Sequence, residues 1–207
     1  MKNLAGEKLT NLLDCLCDIP SEHSLDLVHM ALLWARMKGQ GLDKYLFAMG
    51  TVQSFDAFKK IVQDKDFWVY AGFSKTTREP CAFAILDNIQ GGTARLHYTF
   101  FRNEESIRNK ELYARLFMDH LFANHTLDCL LFITPDFYLH SNRLASRLGA
   151  EFLGKIPGMS PIYIPETNEL EYCEANVYKL VSPFYVKGKR RKISDLEEKE
   201  LWEVNQK

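Results

Sequence analysis

Residues Phe132 to Gly158, FITPDFYLHSNRLASRLGAEFLGKIPG, join the end of a buried strand to a short basic helix and then to another strand. The apolar run Cys129 to Ile133 stops at Thr134, Pro135 and Asp136, where proline removes a backbone donor and favours a turn. Helical spacing resumes at Leu139 and ends at Gly149, and a further strand is predicted from Glu151 to Ile156. A strand end and a helix start therefore meet near Tyr138 to Asn142, the kind of junction at which a site is built.

Upstream, Gly6 to Cys17 and Ser24 to Lys38 read as helices, the second from Leu25, Val28, Leu32 and Ala35 at helical spacing, and Ser54 to Gln63 reads as a third. The period then changes to that of strands. Phe67 to Phe73 and Cys81 to Leu86 form a hairpin pattern around a polar stretch ending in Pro80. Gly91-Gly92 makes the next turn and Thr93 to Phe101 a third strand. A charged loop leads to a helix from about Lys110 to Ala123 with an apolar stripe of Leu112, Leu116, Phe117 and Leu121. The strand Leu127 to Thr134 is apolar almost throughout, as suits a strand covered on both faces after a helical crossover from a parallel neighbour. Downstream of Ile156 a Pro-rich loop precedes a last strand near Ala175 to Val181.

With 207 residues, 46% of them hydrophobic, the chain can bury one substantial core. No apolar run approaches the roughly 20 residues that span a bilayer, and Met1 to Thr10 lacks a signal-peptide core, so the expectation is a cytoplasmic protein with no membrane partner. A formal charge of -1 gives no global attraction for nucleic acid. Five cysteines, odd in number and scattered, fit reduced thiols with structural roles, and no His, Cys or carboxylate set has metal-ligand spacing, so no metal is expected. His120 and His125 sit at the C-terminal end of the long helix, where the helix dipole favours a cation. Lys187 to Lys192 is a basic run followed by a capping box, Ser194 to Glu197, which predicts a short helix in a charged tail over 186–207.

The order helix, helix, three-stranded meander, helix, strand, helix, strand, strand resembles that of the GNAT acyltransferase superfamily, whose members transfer an acyl group from a CoA thioester to an amine. The segment Ser141 to Ala150 with Phe152 to Gly154 is similar to that family's late helix and strand. The resemblance implies an α/β fold of the α+β kind: a central mixed sheet with splayed strands, flanked by helices. One domain would span 1–185, with a helical part over 1–63 and the sheet and its helices over 64–185. The family's R/Q-x-x-G-x-G/A turn is degenerate. In the register Arg108 to Tyr113 the Arg matches, but Glu111 and Tyr113 stand where glycines let backbone N–H groups approach the CoA pyrophosphate. Either a shifted register uses Asn103, Ser106 and Ile107, or phosphate binding has weakened.

The resemblance implies acetyl-CoA as co-substrate, lying between the strand ending at Phe101 and the strand ending at Thr134, with its phosphates near Ser106 to Lys110. Phe101, Arg102, Asn103, Ser106, Ile107, Arg108, Asn109 and Lys110 would line it from one side, and Ser141 and Asn142 from the other. Amine acylation needs a proton acceptor for the amine and a donor for the departing thiolate. His97 alternates with Tyr98 on its strand and can accept a proton, a histidine having an ordinary pKa of about 6.5. Tyr138, before the late helix, stands where the family often places the acid. The acceptor, a small-molecule or protein amine, would enter near Tyr70, Asp87 and His97. A second reading is a catalytically inactive binding or assembly module of the same architecture, favoured by the Gly-free loop and by Phe100, Phe101, Phe137 and Tyr138 around the cleft.

Overall fold

Side-chain alternation along the strands builds two cores on one sheet. The computed structural model describes residues 16–17, 25–74, 77–164, 166–186 and 189–190. Its strands are β1 (Leu16–Cys17), β2 (Trp68–Phe73), β3 (Pro80–Gln90), β4 (Thr93–Phe100), β5 (Cys129–Pro135), β6 (Glu151–Ile164) and β7 (Glu169–Val181), with a two-stranded ribbon, β8 (Tyr185–Val186) and β9 (Lys189–Arg190), beyond them. Helices are α1 (Leu27–Gly39), α2 (Asp43–Leu46), α3 (Phe55–Gln63), α4 (Glu104–Asn124) and α5 (Leu139–Arg147). Sheet order is β1-β2-β3-β4-β5-β7-β6, antiparallel except between β4 and β5.

On β3, Phe83 and Ile85 point into a core formed with α1 and α3, while Ala84 and Leu86 point into one formed with α4 and α5. This period-two division is what an inner strand of a three-layer domain requires. Phe83 and Phe58 of α3 are fully buried, their ring centroids 5.6 Å apart. On the other face Leu121 of α4 and Leu130 of β5 are equally inaccessible.

The crossover from β4 to β5 runs through α4, and here the sheet opens. Three residue pairs join the two strands, from Thr93↔Cys129 to Arg95↔Leu131. Among the described residues no pair joins them further along, although β4 runs to Phe100 and β5 to Pro135. Each stays paired with its other neighbour: β4 to β3 as far as Phe100↔Ala82, β5 to β7 as far as Pro135↔Ala175.

Several sequence expectations shift. The last two residues of the helix expected over Gly6 to Cys17 are β1, paired with Gly72 and Ala71; the rest lies outside the described residues, as does the helix expected over Ser194 to Glu197. Helix α1 buries Met30, Leu33 and Met37, while Val28 and Leu32 are exposed; two apolar stripes share this helix and its packing selects one. Helix α4 starts at Glu104, six residues before the expected Lys110, because Asn103 caps it by accepting from Ser106 N–H at 2.8 Å. The Pro-rich stretch after Ile156 is not a loop. It continues β6 as a bulge, with Ile156 opposite Ala175 and Ser160 opposite Cys173. His125 ends α4 in an aromatic cluster, its Nε2 2.7 Å from the Tyr70 hydroxyl and its ring centroid 4.5 Å from that of Trp68.

Asn142 ties the end of β5 to α5 and β7. Its amide N–H groups reach the carbonyls of Pro135, Asp136 and Tyr138, each at 3.1 Å, and its oxygen accepts from Asn176 Nδ2 at 3.0 Å and the Tyr178 hydroxyl at 3.1 Å. This buried knot sets the turn that carries Tyr138.

Two stability outcomes follow. Phe83→Ala should cost about 3–5 kcal/mol in urea unfolding, and a loss under about 1 kcal/mol would contradict its place in the core. Asn142→Ala leaves buried donors and acceptors unpaired and should cost about 2–3 kcal/mol, whereas a neutral variant would rule the knot out as a structural tie.

Candidate active site

The opening between β4 and β5 is a groove of about 730 Å³. Its walls are Leu96 to Thr99 on one side and Phe132 to Pro135 on the other, closed at one end by Phe137 to Ser141. A cavity of about 290 Å³ continues it toward the start of α4, sharing Tyr98, Thr99, Arg102, His140 and Ser141. A third, of about 330 Å³, continues it onto the α1–α3 side, sharing Tyr45, Leu46, His97, Ile133 and Pro135. The passage therefore runs through the sheet.

At the α4 end the groove meets Phe101, Arg102, Ser106, Ile107, Lys110 and Ser141, six of the residues expected from sequence. Asn103, Arg108, Asn109 and Asn142 do not line it. Asn103 is engaged as the α4 cap and by its Nδ2, which donates to Pro80 O at 2.9 Å. Arg108 and Asn109 lie inside the helix, so the register that starts at Arg108 is helix interior rather than a phosphate turn. Asn142 is held in its knot.

Backbone donors at this end are largely engaged. Arg102 N–H donates to Gln40 Oε1 at 2.6 Å, Asn103 N–H to Phe101 O at 3.0 Å, Ser106 N–H to the Asn103 cap and Ile107 N–H to Asn103 O at 3.0 Å. The Ser106 hydroxyl donates to Cys81 O at 2.9 Å. The cations beside the cavity are the side chains of Arg102 and Lys110, with His140 and the Ser141 hydroxyl opposite. An anion placed here would meet charged side chains rather than a glycine-lined backbone cradle.

Where the groove passes to the α1–α3 side, alternation puts Arg95, His97 and Thr99 on the face opposite Leu96, Tyr98 and Phe100. Asp87 of β3 sits directly across from Arg95, at the last regular pair before a bulge in which Asn88 takes a left-handed φ of 49°. Arg95 Nε donates to Asp87 Oδ1 at 2.7 Å, and His97 Nε2 lies 3.3 Å from Asp87 Oδ2. Burial works against the Asp87 charge, but the hydrogen bonds and charges of Arg95 and His97 outweigh it and hold the carboxyl well below its ordinary range. The carboxylate thus fixes Nε2 of His97 as a donor and leaves Nδ1 as the ring's acceptor.

Tyr138 follows the end of β5, its ring centroid 5.2 Å from that of Tyr45 and 4.6 Å from that of Phe137. Burial, with smaller contributions from Tyr45 and Cys173, pushes its hydroxyl up to about 12, so it is a donor at neutral pH. The structure thus brings His97 and Tyr138 to the walls of one groove. Tyr70, expected at the acceptor entrance, instead faces the α4 layer and its hydroxyl meets His125. Of the two rings able to plug the groove, Tyr113 is buried beside Tyr70 and Phe117 in a separate small pocket, and Phe101 is buried in the α1–α3 core while bordering the α4-end cavity, which stays open. Sequence reasoning missed Arg95, Tyr45 and His140. Arg95 carried a signal, since it sits two residues from His97 on one strand face, and so did His140, between Tyr138 and Ser141; Tyr45 comes from a segment remote in sequence.

Among the described residues no cluster of three or more His, Cys, Asp or Glu suits a metal ion, and no helix is long and apolar enough to cross a membrane. No family model matches the chain, and no curated protein matches it in sequence. Solved structures do. A spermidine N-acetyltransferase from Vibrio cholerae in complex with CoA and spermine is 11% identical, with a TM-score of 0.63 over 77% of this chain and 93% of that one. A ribosomal-protein alpha-N-acetyltransferase in complex with coenzyme A is 16% identical, with a TM-score of 0.62 over 80% and 93%. A GNAT-family acetyltransferase from Bacillus anthracis is 12% identical, with a TM-score of 0.60 over 81% and 93%. The chain has the fold of the GNAT acetyltransferases, a mixed α/β sheet opened between two parallel strands.

Proposed function

We propose that the protein is an N-acyltransferase that carries an acetyl group from acetyl-CoA to a primary amine by direct attack. The observation that carries this reading is the parting of β4 and β5 after three pairs, which leaves a through-sheet groove with cations at one end and a carboxylate-held histidine at the other. The open edge of β4 offers backbone groups that would pair with the two amides of the pantetheine arm in the manner of an added strand. Arg102 and Lys110, with Ser141, would hold the phosphates, while the Phe101, Ser106 and Ile107 segment shapes their bed.

His97 takes a proton from the incoming ammonium through Nδ1, directly or through one water, while Asp87 holds the ring by its other nitrogen. The neutral amine attacks the thioester carbonyl carbon, the C–S bond breaks, and the electron pair leaves on sulfur. Tyr138 donates a hydrogen bond to that sulfur; its raised hydroxyl makes it a stabilising donor rather than an early proton source. Products are the amide and the free thiol, one proton of the ammonium going to solvent through His97 and the second ending on the thiol.

The internal capping of the Arg102, Asn103, Ser106 and Ile107 N–H groups favours a second reading, a module of this fold without transfer activity. The first is preferred because the groove is open where plugging rings would have closed it.

Thermal shift separates the two. Acetyl-CoA at about 100 times its dissociation constant should stabilise the fold by roughly 2.7 kcal/mol, and the absence of any shift at millimolar ligand would end the enzyme reading. If binding holds, His97→Gln should lower kcat by about 10²–10⁴ with acetyl-CoA affinity unchanged; equal turnover would remove His97 from the mechanism. Tyr138→Phe should lower kcat by about tenfold or more, again without loss of cofactor affinity, and unchanged turnover would exclude it as the sulfur's donor.

A further inference from the structure

Resting on the transferase reading, we propose that the acceptor is a small primary amine carrying one positive charge and an apolar, preferably aromatic, tail. The site is the cavity of about 330 Å³ on the α1–α3 side of the sheet, within the size range of small-molecule pockets. Its charged groups share one wall. Asp87, Arg95 and His97 stand on its sheet wall, while Leu46, Phe47, Met49, Ile61, Phe67 and Met159 form much of the rest. The amine therefore docks at the sheet wall beside His97, which takes its proton, and the remainder of the molecule lies among aliphatic and aromatic side chains.

Charge decides against a polyamine. Among the described residues lining the cavity Asp87 is the one carboxylate, and its oxygens are engaged by Arg95 and His97. Arg95 cancels that carboxylate; the reacting amine sheds its charge to His97, but a second ammonium further out would be desolvated against apolar groups with neither an anion nor a base to meet it. An amine with a hydrocarbon tail meets no such penalty and gains by burial.

The far side of the cavity decides against a polypeptide. The β6 bulge brings Met159, Ser160 and Pro161 onto the cavity. Four residues from Met159, Tyr163 N–H donates to Ala48 O at 2.6 Å and lashes the hairpin to the segment after α2. Gly50, at a φ of +68°, lies so close under the Tyr163 ring that a Cβ there would stand 2.5 Å from it. This strap joins Ala48 and Met49 to Met159, Ser160 and Pro161 as a continuous wall, so an extended chain cannot cross the cavity on that side, while a compact tail fits within it.

The test compares acceptors using the full chain and acetyl-CoA, with release of the CoA thiol as the readout. Turnover per unit KM should rise from methylamine through butylamine to 2-phenylethylamine, and 2-phenylethylamine should exceed both spermidine and a tetrapeptide with a free N-terminus by about tenfold or more. Preference for spermidine or for the peptide, or a flat series, overturns the proposal. Acetyl-CoA affinity measured separately by calorimetry tells the failures apart: binding with the wrong acceptor order defeats this inference alone, whereas no binding defeats the transferase reading and this inference with it. Met159→Glu adds an acid to the apolar wall. It should move the 2-phenylethylamine to spermidine ratio toward spermidine by about tenfold while acetyl-CoA affinity stays as it was, and an unmoved ratio counts against the cavity as the acceptor site.

Discussion

The rest of the structure depends on a competition for hydrogen bonds at the centre of the sheet. β4 and β5 are parallel, and parallel pairing is slightly weaker per residue than antiparallel pairing. Each strand has an antiparallel partner on its other side that holds it to its end, β3 for one and β7 for the other. When the two halves of the sheet twist apart, the weaker junction between them is the one that opens. Three pairs at the base keep the halves in one sheet, and the unpaired remainder forms the groove.

Everything with a chemical role stands around that opening. The fork places a cation-bearing helix start at one end and a carboxylate-held histidine at the other, and the Asn142 knot sets the turn that delivers Tyr138 between them. The helix start is unusual for a phosphate site because Asn103, Gln40 and the helix's own carbonyls take up its backbone donors. In the proposed site, reliance on the flexible side chains of Arg102 and Lys110 in place of backbone dipoles would exchange geometric definition for charge and make binding of an anion more sensitive to salt.

Much of the fold was legible because strands and helices alternate with clear punctuation. Gly91-Gly92, the stop at Pro135 and Gly149 each end an element where a missing donor or a left-handed backbone requires it. Less legible was the choice of buried face. α1 carries apolar residues on two stripes, and contact with α3 and β3 buries Met30, Leu33 and Met37 rather than Val28 and Leu32. The start of α4 was misplaced because the acidic run after Asn103 reads as a loop until the Asn103 cap is seen to begin the helix. The Pro-rich stretch misled in the same way, since a bulge lets a strand absorb residues that would otherwise break it.

By itself the sequence determined most of the order of the elements, the apolar strand at the sheet's centre and the placing of His97 on a strand and Tyr138 at a helix start, because these follow from local periodicity and turn chemistry. Only the tertiary structure decided that His97 and Tyr138 share one groove, that Asp87 joins Arg95 and His97, that Asn142 belongs to the interior rather than to the groove, and that the β6 bulge walls the cavity on the α1–α3 side. Those outcomes depend on distances between groups far apart along the chain, which no local pattern encodes and which packing alone sets.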